Sequence, residues 1–329
     1  MGNGDLTITA SVTNANGNTG SGSRDITIDA NLPGLRVDTV AGDDIVNSIE
    51  HGQALVITGG SSGLNAGVPL TITINGTAYS ATVQADGSWS VGIPAANVSA
   101  WPAGELIVEA TGQSSAGNPV SVSHPFTVDL TAVAISINTV ASDDVINAAE
   151  KGTGLTLSGS TSGIESGQTV TVTLGGKTYT ASVAANGSWS VNVPAGDLAT
   201  LPDGAANVQA SVSSASGNSA SAIHAYSVDA SAPTLTINTI ASDDILNATE
   251  AGSPLTISGT STAETGQTVT VTLNGATYSG NVQADGSWSV SVPPSALGAL
   301  SASNYTVSAT VNDKAGNPGS CLLYTSPSP

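Results

Sequence analysis

The sequence is poor in basic residues, in aromatic residues and in cysteine. Its 329 residues include 5 Lys and Arg against 24 Asp and Glu, which gives a formal net charge of −19. Nucleic-acid phosphates and anionic membrane surfaces both attract Lys and Arg, so this balance argues against either partner. The one cysteine, Cys321, leaves no partner for a disulfide within the chain.

Long hydrophobic runs are missing as well. No segment is apolar over the length needed to cross a bilayer, and residues 1–5 do not start a signal peptide. We therefore expect no membrane insertion, and we expect the export and anchoring signals to lie outside this sequence. Aromatic residues make up 3%, so any core must be built from Val, Ile, Leu and Ala. The β-branched residues among these favour strands.

Three blocks recur along the chain at an interval of about one hundred residues. Residues 38–52, 138–152 and 238–252 read DTVAGDDIVNSIEHG, NTVASDDVINAAEKG and NTIASDDILNATEAG. A GSWSV block follows in each copy, and a Gly-Asn pair recurs at 117–118, 217–218 and 316–317, and also at 17–18. Such a period predicts tandem structural units.

These blocks set the predicted domain boundaries. Residues 1–33 match the C-terminal third of a preceding repeat, and 34–132 and 133–232 form two complete repeats. Residues 233–320 form a third repeat that we expect to lack its last strand. Residues 321–329 match nothing upstream, and we interpret them as an unrelated tail, a cloning or assembly artefact.

Apolar residues alternate with polar ones in seven short segments of each repeat, which is typical of strands with one buried face. Asn-Gly, Gly-Gly and Asp-Gly pairs between neighbouring segments are typical of hairpin turns. The prediction is an all-β fold of tandem, seven-stranded immunoglobulin-like β-sandwiches. Trp89, Trp189 and Trp288 alternate with inward-facing valines, so we expect them in the cores rather than in a sugar-stacking site.

No catalytic set recurs in the repeats. Of the histidines, only His124 and His224 align, and His51 stands alone. A nucleophile elbow, a His-Glu-x-x-His motif and a phosphate loop are all missing from the sequence. We therefore expect a protein that is not an enzyme.

Acidic residues, in contrast, recur in register. Four columns hold half of them: Asp43, Asp143 and Asp243; Asp44, Asp144 and Asp244; Glu50, Glu150 and Glu250; Asp29, Asp129 and Asp229. An Asn lies inside each block, at Asn47, Asn147 and Asn247. Oxygen-only side chains are what Ca²⁺ takes as ligands, so the columns predict a calcium site. The alternative is that Asn-x-x-Glu caps a short turn and the aspartates aid solubility.

The order of antiparallel strands predicts where this site lies. The loop after the first strand and the end of the last strand share one pole of a sandwich, so Asp143, Asp144 and Glu150 should converge with Asp229. Asp285 and Asn317, at the facing pole of the next sandwich, complete the predicted ligand set. A competing arrangement pairs Asp143 with Asp129.

The combination of SDDxINxxE, DGSWSV, AGN and a closing TVDxxxP resembles the bacterial Ig-like repeats of giant, type I-secreted, biofilm-associated (Bap-like) adhesins of Gram-negative bacteria. The resemblance covers about residues 1–320. It implies repeats that act as extenders, and calcium at the junctions that stiffens the rod. Two departures stand out: Val133 replaces the Pro of positions 33 and 233, and Ser328 stands where the last linker Asp is expected.

We therefore expect a calcium-stiffened, non-catalytic extender of a cell-surface adhesin, located outside the cell. Its partners would be the neighbouring repeats of the same chain, and a surface glycan or receptor would be bound by regions beyond this sequence. The alternative is a module whose own loops bind a host glycan or receptor. Near-identical copies favour the extender, because a specific site would break the pattern in one copy.

Overall fold

The structure is a computed structural model that describes residues 3–301 and 303–325. The chain forms two compact units. The first runs to Val133 and includes Ser213–Ser219, and the second comprises Ala134–Val212 and the residues from Ala220 onward.

The first unit contains an N-terminal hairpin and one β-sandwich. The hairpin is a two-stranded sheet of β1 (Gly4–Thr13) and β2 (Thr19–Ile28), and its residues are almost all exposed. The sandwich packs a sheet ordered β3-β5-β8 on a sheet ordered β4-β10-β9-β6-β7. Its strands are β3 (Gly34–Val37), β4 (Ile45–Asn47), β5 (Leu55–Ser62), β6 (Pro69–Ile74), β7 (Thr77–Thr82), β8 (Ser88–Ile93), β9 (Gly104–Gln113) and β10 (Pro119–Asp129).

The second sandwich repeats this topology, with sheets ordered β11-β13-β16 and β12-β18-β17-β14-β15. Its strands are β11 (Ala134–Ile137), β12 (Val145–Ile146), β13 (Leu155–Ser162), β14 (Thr169–Leu174), β15 (Lys177–Ser182), β16 (Ser188–Val193), β17 (Gly204–Ser213) and β18 (Ser219–Val228). The predicted seven strands are therefore present. Each of these two sandwiches also has an eighth strand inside the Asp-Asp block, β4 in the first and β12 in the second. These strands are too short for alternation of apolar and polar residues to predict them.

The third sandwich, in the second unit, has sheets ordered β19-β22 and β21-β20-β23-β24. Its strands are β19 (Leu255–Thr260), β20 (Thr268–Leu273), β21 (Ala276–Asn281), β22 (Ser287–Val292), β23 (Tyr305–Asn312) and β24 (Pro318–Thr325). In place of a regular first strand, Leu235 forms an isolated bridge with Ser261.

The prediction that the third repeat lacks its last strand is wrong for the described residues. β24 pairs with β23 from Asn312↔Pro318 to Tyr305↔Thr325. Although residues after Ser320 do not match the other repeats, Cys321 and Leu323 keep the period of two and pack against the third core. Alternation of apolar and polar residues is therefore enough to continue the strand, without a match to the other repeats. Residues 326–329 lie outside the described part.

Five short helices complete the sandwiches: α1 (Ala95–Val98), α2 (Ala148–Thr153), α3 (Ala195–Leu198), α4 (Ala248–Ala251) and α5 (Pro294–Leu297). Three of them, α1, α3 and α5, occupy the connections between β8 and β9, between β16 and β17, and between β22 and β23. α2 and α4 belong to the Asp-Asp block, where the first sandwich has a 3-10 turn, Glu50–Gly52.

Each core is mainly aliphatic around one recurring tryptophan, and the first core also holds Trp101 and Phe126, whose ring centroids lie 5.3 Å apart. Trp89, Trp189 and Trp288 are 1%, 2% and 1% exposed, so the prediction that they serve the cores is confirmed. The ring lies over a glycine of the neighbouring strand: a Cβ on Gly159 would come 2.7 Å from Trp189 Cζ2 and 1.9 Å from the Ser136 carbonyl oxygen. Such close packing is why Gly59, Gly159 and Gly259 recur in one column.

Candidate functional site at the poles of the sandwiches

The Asp-Asp block folds as a tight loop built on left-handed backbone. Ala41 and Asp44 have φ values of 54° and 63°, and Ala141, Asp144, Ala241 and Asp244 have nearly the same values. Residues other than glycine adopt this conformation at a cost, which local hydrogen bonds must offset. Here the Asp44 N–H donates to the Val40 carbonyl at 2.8 Å, and the Val40 N–H donates to Asp44 Oδ1 at 2.8 Å.

The two aspartates of the block differ in environment. Asp43, Asp143 and Asp243 are exposed, and Oδ1 of each accepts from the N–H two residues on at 3.0 Å. Asp44 and Asp144 are half-buried and also meet a histidine: His124 Nε2 lies 2.7 Å from Asp44 Oδ1, and His224 Nε2 lies 2.7 Å from Asp144 Oδ1. The aligned histidines thus connect the loop to the last strand of the sandwich.

These contacts lower the pKa of both carboxyl groups. For Asp144 the largest cause is the hydrogen bond from His224, followed by the amide of Val140. For Asp44 desolvation by burial acts in the opposite direction, but the hydrogen bonds from His124 and Val40 outweigh it. Both side chains are therefore carboxylates at neutral pH.

Asn and Glu of the block form a capping box. In α2 the Asn147 side chain accepts from the Glu150 N–H at 3.0 Å, while Glu150 Oε2 accepts from the Asn147 N–H at 2.9 Å. Asn247 and Glu250 form the same pair in α4, and Asn47 and Glu50 exchange the same two bonds in the first sandwich. The turn-capping alternative is thus realised for this pair of columns.

The linker aspartates lie beside these loops. Asp129 pairs in register with Asn47, and the Asp229 N–H donates to the Ile146 carbonyl at 3.0 Å. Asp29, Asp129 and Asp229 each also accept, through Oδ1, the N–H two residues on. The backbone thus brings the block and the linker aspartate of the same repeat to one pole, as the first of the two predicted arrangements requires.

An asparagine from the Gly-Asn loop joins each pole to the following repeat. In the second unit, Asn317 Nδ2 donates to the Asp229 carbonyl at 2.8 Å, and Asn317 Oδ1 accepts from the Ala148 N–H at 2.8 Å. In the first unit, Asn218 makes the same two bonds, to the Asp129 carbonyl at 3.0 Å and from the Ser48 N–H at 2.8 Å. We call this pair of bonds the asparagine latch.

The two latch asparagines and the residues next to them are buried. Asn218 and Asn317 are 0% and 1% exposed, and the neighbouring Ser214, Ser216, Asp313 and Ala315 are buried with them. Asn118 reaches the carbonyl oxygens of Asp29 and Asn31 at 3.0 Å but is only half-buried. The N-terminal hairpin β1–β2, which precedes the first sandwich, has no Asp-Asp block that could cover Asn118. A buried side-chain amide needs such partners, because an unpaired polar group costs free energy when it leaves water.

The two latches differ in one detail that affects charge. At the first, Ser216 and Thr131 hydrogen-bond Asp129 and hold the pKa of its carboxyl group below its usual value. At the second, Asp313 occupies the position of Ser214 and accepts from Asn317 through both of its oxygens, at 2.8 and 3.0 Å.

The structure does not bring every predicted ligand to a latch. Asp285 Oδ1 accepts from the N–H and hydroxyl of Ser287, inside its own turn. Among the described residues, no group of three or more His, Cys, Asp or Glu side chains could hold a metal ion as they stand. Metal ligation by the predicted residues therefore stays a prediction.

The donor set nevertheless fits a hard cation in its chemistry. The linker aspartate and the exposed block aspartate of each pole both supply carboxylate oxygens. Ca²⁺ takes six to eight such oxygens. Glu50, Glu150 and Glu250 fit less well, because one carboxylate oxygen of each is already held in the capping box.

Sequence reasoning assigned Asn317 as a metal ligand and passed over its copies Asn118 and Asn218. The signal was present, since the Gly-Asn pair recurs in every repeat. Periodicity cannot show, however, that a loop residue bonds to a different repeat. Ser216 and Asp313 sit in columns that vary between repeats and so gave no signal.

The comparisons with known proteins agree with this architecture. Residues 238–321 match the family described as bacterial Ig-like domain. A Ca²⁺-stabilized adhesin that helps an Antarctic bacterium reach out and bind ice is 34% identical over 98% of this chain and 81% of its own, with a TM-score of 0.47. A 1.5-MDa bacterial ice-binding adhesin is 34% identical over 90% of this chain and 97% of its own, with a TM-score of 0.46.

A tetra-tandem repeat from the extending region of a large adhesion protein is 29% identical over 98% of this chain and 82% of its own, with a TM-score of 0.35. No curated protein sequence matches the chain. The kinship rests on sequence identity along nearly the whole chain and on the family match to the third repeat. The chain is a tandem array of bacterial Ig-like domains, and it belongs to the Ig-like repeats of large bacterial adhesins. Among the described residues, no helix combines the length and apolarity needed to cross a bilayer.

Proposed function

We propose that this chain is a non-catalytic extender segment of a cell-surface adhesin, in which calcium bound at the poles stiffens successive repeats. The observation that supports it best is the asparagine latch, because it makes each repeat continuous with the next through buried hydrogen bonds. Relatives described as a Ca²⁺-stabilized adhesin and as an adhesin's extending region support calcium and the spacer role.

The structure narrows the ligand set that we propose. The exposed aspartates Asp43 and Asp143 and the linker aspartates Asp129 and Asp229 are the strongest candidates. Asp44, Asp144 and the three glutamates serve the loop itself. Calcium bound there would neutralise carboxylates that repel each other across a short linker. An extracellular site with a Kd of about 10⁻⁴–10⁻³ M, at tenfold excess of calcium, contributes roughly 1.4 kcal/mol.

The test is small-angle scattering of the whole chain with calcium and with a chelator, alongside calorimetric titration. We expect chelation to broaden the distribution of maximum dimensions while strand content by circular dichroism stays constant. Asp43→Asn with Asp129→Asn should abolish one binding event in calorimetry.

Glu50→Gln is the matched variant, because Gln preserves a capping box but is a poor calcium ligand. We expect it to bind calcium like the wild type. If the chelator leaves both the dimensions and the flexibility of the wild-type chain unchanged, calcium stiffening is refuted.

A further inference from the structure

The first sandwich departs from the other two at three neighbouring positions of one sheet. Gly34, Arg36 and Gly60 stand where the second sandwich has Ala134, Ser136 and Ser160, and where the third has Thr234, Thr236 and Thr260. In the other two copies a hydroxyl pair links the strands: Ser136 to Ser160 at 2.8 Å, and Thr236 to Thr260 at 2.8 Å. The first copy replaces this pair with a guanidinium and a glycine.

The two replacements depend on each other. Arg36 and Gly60 are cross-strand partners of β3 and β5, and the guanidinium lies over the glycine. A Cβ on Gly60 would meet Arg36 Nε at 2.8 Å and Nη2 at 3.0 Å. Gly60 is consequently buried, whereas Ser160 and Thr260 are exposed. A side chain at position 60 would push the guanidinium away from the sheet.

A groove of about 440 Å³ opens at this place, lined by Arg36, Gly60, Ser61, Ser62, Asp86 and Ser88 among others. That volume lies in the range of clefts that take small molecules. Its polar groups are of both kinds. Arg36 only donates hydrogen bonds and the Asp86 carboxylate only accepts them. The Ser61 and Ser88 hydroxyls already donate to the Gly87 carbonyl and to Asp86 Oδ1, so toward a ligand they act as acceptors.

Charge decides which ligand suits the groove. Arg36 is the only Lys or Arg among residues 34–132, and it is paired with Asp38, whose other oxygen accepts from Thr58 at 2.9 Å. An anion would be attracted by Arg36 but repelled by Asp38 and Asp86. A cation would be attracted by the two aspartates but repelled by Arg36. A ligand with neighbouring uncharged hydroxyl groups can accept from the guanidinium and donate to a carboxylate at the same time.

We propose that this groove of the first sandwich binds a neutral saccharide. Arg36 and Asp86 would each bond sugar hydroxyls, the serines would complete the hydrogen bonds, and Gly34 and Gly60 would leave the space that side chains fill in the other copies. The groove contains none of the aspartates proposed above as calcium ligands, and the proposed binding needs no calcium. It is also a place where the first copy departs from the other two.

The test is an amide chemical-shift titration of the whole chain with neutral mono- and disaccharides, with a uronic acid and with inorganic phosphate, in a chelator and again in calcium. We expect neutral sugars to shift the amides of the groove, with a Kd of about 10⁻³ M, equally with and without calcium. Arg36→Ser with Gly60→Ser copies the hydroxyl pair of the second sandwich and should weaken binding at least tenfold. Unchanged amide shifts in the opposite sheet, around Ile72 and Val108, will confirm that this variant keeps its fold.

Lys177→Ser is the control, because it removes one positive charge outside the groove, and binding should not change. The proposal is overturned by a response to the uronic acid or to phosphate but not to neutral sugars, by no response to any of them, or by binding that persists in the double variant. None of these outcomes bears on calcium at the poles, which calorimetry reads separately.

Discussion

One buried amide side chain joins two sandwiches, and this happens twice in the chain. Asn317 holds an N–H of one repeat and a carbonyl of its linker with a single planar group. Bonds of this kind orient as well as attach, because both the donor and the acceptor of the amide are used. Within the second unit, the Asn317 side chain therefore holds the Ala148 N–H and the Asp229 carbonyl in a fixed relation.

Removing one latch should expose a specific amide. In Asn317→Ala the Ala148 N–H loses the acceptor that the structure provides, and an unsatisfied buried group costs about 1–3 kcal/mol. We expect hydrogen exchange at Ala148 to accelerate at least tenfold while β13–β16 stay protected. Asn118→Ala is the control, since Asn118 is half-buried and its side-chain amide donates to the carbonyls of Asp29 and Asn31, far along the chain from Ala148. Equal exchange at Ala148 in Asn317→Ala and in the wild type would contradict the latch.

Tyr179 offers a pH-dependent readout in the second sandwich. Desolvation and the hydrogen bond to Asp197, 2.8 Å from Tyr179 Oη to Oδ2, raise the pKa of Tyr179 to about 12. Because this pKa lies above the unfolded value of about 10, the contribution to stability is fully present below about pH 10. It is lost as pH rises through the folded pKa.

Asp197→Asn copies Asn97, which bonds Tyr79 in the first sandwich. We expect this variant to move the phenolate transition seen by ultraviolet difference absorbance to lower pH. Asp203→Asn removes the same charge from a carboxylate that bonds Ser231 and serves as the control. If both variants leave the transition where it is in the wild type, Asp197 does not hold the tyrosine proton.

At the scale of the element, the contact between two strands limits what the Gly159 column accepts. Gly159→Ala places a Cβ against the Ser136 carbonyl and the Trp189 ring, and overpacking of this kind costs about 1–3 kcal/mol. We expect faster hydrogen exchange throughout β13–β16. Gly196→Ala is the control, because nothing lies within 4 Å of its Cβ and it sits in α3. That change should be neutral or slightly stabilising.

The elements themselves were largely predictable, and the exceptions have physical reasons. Alternation of apolar and polar residues identifies a strand when the strand is long enough to contain several inward-facing residues, as in β14 or β17. It fails for β12, with two residues, since this strand exists only because β18 lies beside it. The prediction missed β24 because it required a match to the other repeats. The inward-facing Cys321 and Leu323 are enough to form the strand without such a match. The capping box could be predicted from the sequence. Only the structure shows that Glu150 Oε2 accepts from the Asn147 N–H, which makes Glu150 a weaker candidate for a calcium ligand.

At the scale of the whole molecule, the two linkers differ in backbone freedom. Pro233 has a fixed φ and restricts Ala232 before it, whereas Val133 imposes neither limit. We expect Val133→Pro to narrow the distribution of dimensions in chelator, seen by small-angle scattering, and to raise stability by about 0.4–1 kcal/mol. Pro233→Val is the reciprocal variant and should broaden it. If neither variant changes the scattering in chelator, the linkers do not control flexibility.

The short strands β4 and β12 have a consequence under tension. Each lies near the start of its sandwich and runs parallel to the end of the last strand, with Ile45, Val46 and Asn47 beside Thr127, Val128 and Asp129. A force applied to the two ends of such a pair loads its hydrogen bonds together in shear, instead of peeling them one by one. Among the described residues, Ile245 and Leu246 form no such pair. When the chain is pulled from its two ends, the first two sandwiches would therefore hold at loads that already extend the third.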